Sequence, residues 1–254
     1  MQKDRKSNVR ALADARMEMR LSPQDKALIN QAASLKGTNA TAFVLASALS
    51  EARRMLGENS ALELSAADLA QLRARTSGGE PTPLLADALA RHRGLDGALA
   101  RLFQRLEPGR HDVASFDCGD ERQNDFLQRQ AATHERLDLA RVYVLTDALA
   151  PERVLGYYTL AAITVASAGD EAAPLPALRL SRLALDRSLH GRGLGALLLA
   201  DAIQRSAEAA DQLPVYALVA APRDEREDAW FEGFGFRRFD DLSAALYLPL
   251  LAVS

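Results

Sequence analysis

The chain has 254 residues, 48% hydrophobic and 26% charged, with a formal net charge of −3 at pH 7. That is an ordinary composition with room for one or two domains. No apolar run reaches the roughly eighteen residues a membrane span needs, the opening Met-Gln-Lys-Asp-Arg-Lys-Ser lacks the apolar core of a secretory signal, and Cys118 is the single cysteine. These exclude a membrane helix and an intrachain disulfide, and leave the cytoplasm as the expected location. The charge is uneven: residues 1–95 hold 14 Lys+Arg against 10 Asp+Glu, and the remainder 17 against 24. A basic front part followed by an acidic back part predicts two modules with different partners.

Residues 1–14 show no period. Arg16-Met-Glu-Met-Arg-Leu21 alternates, with Met17, Met19 and Leu21 on one face and Arg16, Glu18 and Arg20 on the other, which predicts a half-buried strand. Ser22-Pro23 starts a helix whose apolar side carries Ala27, Leu28, Ala32 and Leu35. Lys36-Gly37-Thr38-Asn39 breaks it, and Asn39 can cap a second helix over 40–56. One strand and two helices leave both strand edges unpaired, so a homodimer or higher even oligomer is expected. The pattern resembles the ribbon-helix-helix DNA-binding proteins, whose paired strands enter the major groove. The resemblance implies that Arg16, Glu18 and Arg20 face base edges of operator DNA, and that Thr38 and Asn39 offer N–H groups to a phosphate. A small dimerisation module with a surface strand is the other reading of these residues.

Gly57 ends the second helix. Two further helices are predicted, Ala66 to Arg75 after Ser65 and Leu84 to Arg93, separated by Thr76-Ser-Gly-Gly-Glu-Pro-Thr-Pro83. Two short helices cannot bury their own apolar faces and need a partner surface. From Arg16 to Arg93 the chain resembles the antitoxins paired with acetyltransferase toxins, in which a ribbon-helix-helix head precedes a tail that wraps the toxin. The expected division is 1–57 for DNA binding and dimerisation, 58–95 for a helical neutralising segment and linker, and 96–254 for a catalytic domain.

Leu95 to Leu106 has helical spacing, and Glu107-Pro-Gly-Arg110 reads as a linker. Strands are predicted at Arg141–Leu145, Arg153–Ala162, Leu180–Leu185, Val215–Val219 and Ala244–Leu248, with helices opening near Gly195 and Asp224. This order predicts an α+β or α/β domain with a mixed central sheet.

Between the third of those strands and its helix lies His190-Gly-Arg-Gly-Leu-Gly195. Glycines let a backbone approach a ligand closely, and a helix N-terminus presents free N–H groups to an anion. No Lys-Ser/Thr follows, so the ATP-type phosphate loop is excluded, and the Gly-x-Gly-x-x-Gly dinucleotide spacing is absent. The loop resembles that of the GNAT N-acetyltransferases, with His190 where Gln or Arg is usual. Phe116-Asp-Cys-Gly119 and Ala229-Trp-Phe-Glu-Gly-Phe-Gly-Phe236 resemble two further motifs of the acetyltransferase toxins, so the resemblance covers roughly residues 110–250. It implies acetyl-CoA as cosubstrate, its pyrophosphate held by His190, Gly191, Arg192, Gly193, Leu194 and Gly195. The backbone at Leu183 and Leu185 would polarise the acetyl carbonyl, and no metal is involved. By resemblance the acceptor is the α-amino group of an aminoacyl-tRNA. The acidic balance of this part argues against nucleic acid binding, unless Arg179, Arg182, Arg187, Arg192 and Arg205 form a local patch.

The family's catalytic tyrosine, which donates a proton to the departing thiolate, falls on Phe231. Three accounts of this position stand: a deliberate Tyr→Phe inactivation, a natural degenerate enzyme kept for repression, or a substitute hydroxyl from Tyr157 or Tyr158. Those two tyrosines are adjacent on a strand and face opposite ways, so at most one can reach the site. Cys118 reads as a turn or core residue, because no base is placed by the sequence to activate it.

Overall fold

The computed structural model describes residues 19, 21–35, 38–45, 47–48, 61–74, 80–95, 102–167, 173–239 and 244–250. The chain divides into two units, 1–52 and 53–254, so the expected middle segment belongs with the second unit. In the first unit, α1 spans Pro23–Leu35 and residues 40–45 and 47–48 are helical (α2). Ser22 Oγ accepts from the Asp25 N–H (3.1 Å) and donates to its carboxylate (2.6 Å), and Asn39 Oδ1 accepts from the Ala42 N–H (2.8 Å), so both helices begin on the caps the sequence offers. Of the expected strand, Met19 and Leu21 are exposed and outside regular structure; Arg16, Glu18 and Arg20 lie outside the described residues.

The second unit is built on a mixed sheet. Its strands are β1 (Ala61–Leu64), β2 (Phe103–Arg105), β3 (Arg141–Thr146), β4 (Val154–Ser167), β5 (Leu175–Leu185), β6 (Ala217–Ala220), β7 (Arg237–Arg238) and β8 (Leu246–Pro249). They lie in the order β2-β3-β4-β5-β6-β8-β7, antiparallel except that β5 and β6 run parallel. β1 joins in parallel along Thr164–Ser167, the end of β4 that reaches past β3.

Two expectations need correction. The segment 58–95 is not all helix, because Ala61–Leu64 pairs as a strand with an edge a hundred residues further on. The stretch ending at Leu106 is not helical at 103–105, where pairing with Tyr143–Leu145 overrides the helical spacing of its leucines.

Side chains of β4 alternate between two cores. Tyr158 and Leu160 enter the larger one with α4 (Pro83–Arg93), α7 (Leu194–Gln212) and α8 (Glu225–Gly233). Tyr157 points to the other face, into a cluster with the helical run formed by α5 (Glu121–Asp125), a π turn (Phe126–Gln130) and α6 (Ala131–Arg136). Ile163 and Val165 share that face and pack with Leu69 and Leu72 of α3 (Ala66–Ala74). α7 approaches the sheet closely at Gly156, where a Cβ would stand 2.8 Å from Leu198 Cδ1 and 3.1 Å from the Ala184 carbonyl oxygen. That close approach sets the start of α7 beside the end of β5.

Candidate active site

The site begins with a parting in the sheet. β5 pairs with β4 along its length, from Leu175 opposite Val165 to Leu185 opposite Gly156, but with β6 only at Leu178–Leu180. The register between β4 and β5 shifts at Thr159/Leu160, leaving Ser181 as an extra residue on β5. Past Leu180 the β6 side of β5 is open. The Asp186 N–H donates to the Leu155 carbonyl toward β4 (2.8 Å), whereas the Leu185 carbonyl faces the other way and takes His190 Nε2 (2.8 Å). Because N–H and C=O of one residue share a side in a strand and alternate along it, Leu183 and Leu185 both turn backbone groups into the opening. The His190 nitrogen facing a carbonyl must carry a hydrogen. His190 therefore braces the end of the strand.

A cavity of about 370 Å³ occupies the opening, lined by Leu183, His190, Trp230 and Phe231 with Gln123, Arg182 and Arg223. Arg182 stacks on the Phe126 ring at 4.0 Å, with NH1 3.4 Å from Gln123 Oε1. Burial lowers its pKa from the usual guanidinium value.

From β5 the chain turns through Arg187–Leu189, where Asp186 Oδ1 accepts from the Ser188 N–H (3.0 Å) and hydroxyl (2.6 Å). Gly191 and Gly193 then take φ of 76° and 75°, a region costly to residues with a Cβ. Gly193 is the N-cap of the 19-residue α7 and supplies no side-chain cap. Leu194 opens the helix, and Gly195 lies 4.0 Å from the Trp230 ring at its Cβ position. A turn that brings uncapped amides past Cβ-free residues fits a pyrophosphate group.

Phe231 is 7% exposed and meets Trp230 and Phe236 edge-on. Neither neighbouring tyrosine replaces a hydroxyl there. Tyr157 is fully buried on the far face, donating to Gln123 (2.8 Å), and burial pushes its pKa up. Tyr158 is hydrogen-bonded to Asp201 within the other core, and burial and that carboxylate raise it as well. Cys118 sits with its Sγ 3.2 Å from Asn124 Oδ1, and burial raises its thiol pKa, so it is a poor nucleophile.

Residues 16–94 match the family described as Antitoxin TacA 1-like. The tRNA-acetylating toxin of Mycobacterium tuberculosis is 35% identical over 132 residues, 49% of this chain and 78% of that protein. A solved structure of a tyrosine-to-phenylalanine mutant of the AtaT toxin, bound to the C-terminus of the antitoxin AtaR and acetyl-CoA, is 32% identical with a TM-score of 0.53, covering 58% of this chain and 92% of that one. AtaT complexed with acetyl-methionyl-tRNAfMet is 28% identical with a TM-score of 0.53, covering 58% and 92%. The chain belongs to the family of tRNA-acetylating GNAT toxins. It carries its antitoxin in the same polypeptide.

The antitoxin segment grips the toxin domain through β1, α3 and α4. α4 starts on Thr82, whose Oγ1 accepts from the Leu85 N–H (3.3 Å) and donates to the Gly233 carbonyl (2.9 Å), two residues after Phe231. Leu85 and Leu89 are buried in the toxin core. At the other end His92 Nε2 lies 3.0 Å from Asp201 Oδ1, while Asp201 Oδ2 takes Arg205 Nε (2.8 Å) and the Tyr158 hydroxyl. Burial works against ionising Asp201, but the hydrogen bonds from His92, Arg205 and Tyr158 outweigh it and hold its pKa below the usual range. Arg91 lies beside the glycine loop, both terminal nitrogens 3.6 Å from the Cβ position of Gly193.

The five arginines considered from sequence do not form one patch. Arg182 lines the cavity, Arg187 pairs with Asp117, and Arg205 is tied to Asp201 and lies over Tyr143. In the head, Thr38 and Asn39 are exposed at the start of α2, with the Asn39 side-chain Oδ1 already serving as its cap. Sequence reasoning did not find Gln123, Trp230, Arg91 or His92. Trp230 stood inside a recognised motif, but the other three gain meaning only from contacts the fold creates.

Proposed function

We infer that this chain is a self-restrained toxin: an acetyl-CoA-dependent N-acetyltransferase of the α-amino group of aminoacyl-tRNA, covered by its own antitoxin segment. The observation that carries it is the open edge of β5 beside an uncapped glycine turn, with Phe231 lining the same cavity. His190, Gly191, Arg192, Gly193, Leu194 and Gly195 hold the pyrophosphate, and the N–H groups of Leu183 and Leu185 polarise the acyl oxygen. Acetyl-CoA, when bound, supplies an activated acyl group and a thiolate leaving group. The attacking amine must be neutral, and the leaving sulfur gains from a proton. Phe231 has none to give, so turnover by this chain is low. The acceptor end of the tRNA enters beside Arg182 and Gln123, which line the cavity.

The head dimerises and binds operator DNA through Arg16, Glu18, Arg20, Thr38 and Asn39, which makes the protein its own repressor. The division of labour is 1–57 for DNA and dimerisation, 58–95 for neutralisation and 96–254 for catalysis. No helix among the described residues is long and apolar enough to cross a membrane. Charged tRNA and operator DNA as partners support a cytoplasmic location.

Phe231 also favours a second reading, a repressor whose acetyltransferase domain only binds coenzyme A. Producing residues 96–254 with Phe231→Tyr separates the two. Growth arrest supports the toxin; a harmless fragment that still binds acetyl-CoA supports the repressor.

A further inference from the structure

Arg91 does more than complete the basic last turn of α4. It lies in the last turn of α4, and its guanidinium reaches the Cβ position of Gly193 at 3.6 Å from both NH1 and NH2. Its carboxylate neighbour, Asp87, is one turn back at 3.9 Å, and both side chains are about half exposed or more. A contact of that length in water is worth little. The guanidinium therefore lies at Gly193, the N-cap of α7 and so the positive end of a 19-residue helix, one residue after Arg192 in the chain. Two positive features set against one another are mutually unfavourable, whereas a phosphate between them turns repulsion into attraction on both sides. Arginine's planar fork suits that bridging role.

We propose that Arg91 of the antitoxin segment is a ligand of the cosubstrate's pyrophosphate, so that the segment completes the acetyl-CoA site instead of blocking it. The inference rests on the reading of the glycine turn as that site. It follows that the toxin is restrained with its cosubstrate in place, and that restraint acts on the acceptor or on proton transfer. In the AtaT relative, antitoxin C-terminus and acetyl-CoA are bound together.

Calorimetry of the full chain with coenzyme A tests this. Arg91→Ala should weaken binding about tenfold, Arg91→Lys should recover part of the loss, and the defect should shrink as salt is raised. Pantetheine, which lacks both phosphates, should bind wild type and Arg91→Ala alike. Unchanged affinity for coenzyme A in Arg91→Ala overturns the proposal. Tighter binding, or binding only by the variant, overturns it in the opposite sense and makes Arg91 a plug. If neither protein binds coenzyme A, the reading of the glycine turn itself fails, and the proposal with it.

Discussion

Replacing Leu85 and Leu89 together by alanine should release α4 from the toxin domain without unfolding that domain. Both leucines are nearly inaccessible, at 1% and 4% exposure, and both pack on the shared core. A buried Leu→Ala change costs about 2–5 kcal/mol, and near the low end where neighbours can close the gap, as at the rim of a domain. Two such changes remove about 4 kcal/mol or more, on the order of a thousandfold in the docking equilibrium of the segment. The His92–Asp201 contact and the Thr82–Gly233 hydrogen bond remain, but each contributes only about 0.5–3 kcal/mol. Hydrogen exchange read by mass spectrometry distinguishes local release from global loss. Amides of 85–93 should exchange far faster in the variant, while 142–145 and 178–185 keep their protection. If those strands lose protection along with α4, the segment is an integral layer of the domain and the idea of a releasable cover is wrong.

Three other outcomes are expected. In the chain already released by Leu85→Ala and Leu89→Ala, Phe231→Tyr should raise acetyl transfer by about 10²–10⁴-fold in a single-turnover assay, because it returns a positioned acid; no gain there would mean that the phenol is not what the site lacks. Gly191→Ala, where a Cβ meets nothing within 4 Å but φ is 76°, should cost only about 1–2 kcal/mol in denaturant unfolding yet weaken coenzyme A binding markedly. His111 and His134 have pKa values lowered chiefly by burial. The unfolded chain therefore takes up their protons first, so stability should fall as pH drops below about 6.5, and His134→Gln should flatten that slope in urea titrations at pH 7.5 and 5.5.

The features legible in the sequence were those that depend on neighbouring residues. Ser22 and Asn39 cap helices, His190 to Gly195 makes the turn its glycines suggest, and Tyr157 and Tyr158 face opposite cores as alternation requires. The features that were not legible depend on distant partners. Ala61–Leu64 is a strand only because β4 outruns β3 and leaves an edge to fill. Phe103–Arg105 carries leucines at helical spacing on both sides, yet its hydrogen bonds go to β3. The extra residue at Ser181, which accompanies the parting of β5 from β6, leaves no mark in composition or period. Arg91 and His92 read as the basic last turn of a helix, a role they also fill, and only the packing of α4 on α7 gives them partners.

The most direct test of the account is mass spectrometry of the 3′-terminal fragment of charged tRNA, incubated with acetyl-CoA and the full chain carrying Phe231→Tyr, Leu85→Ala and Leu89→Ala. The aminoacyl group should gain the mass of one acetyl, and the chain with Phe231→Tyr alone should leave most of it unmodified. A protein that binds acetyl-CoA yet leaves the aminoacyl amine unmodified, or acetylates polyamines and peptides instead, would contradict it.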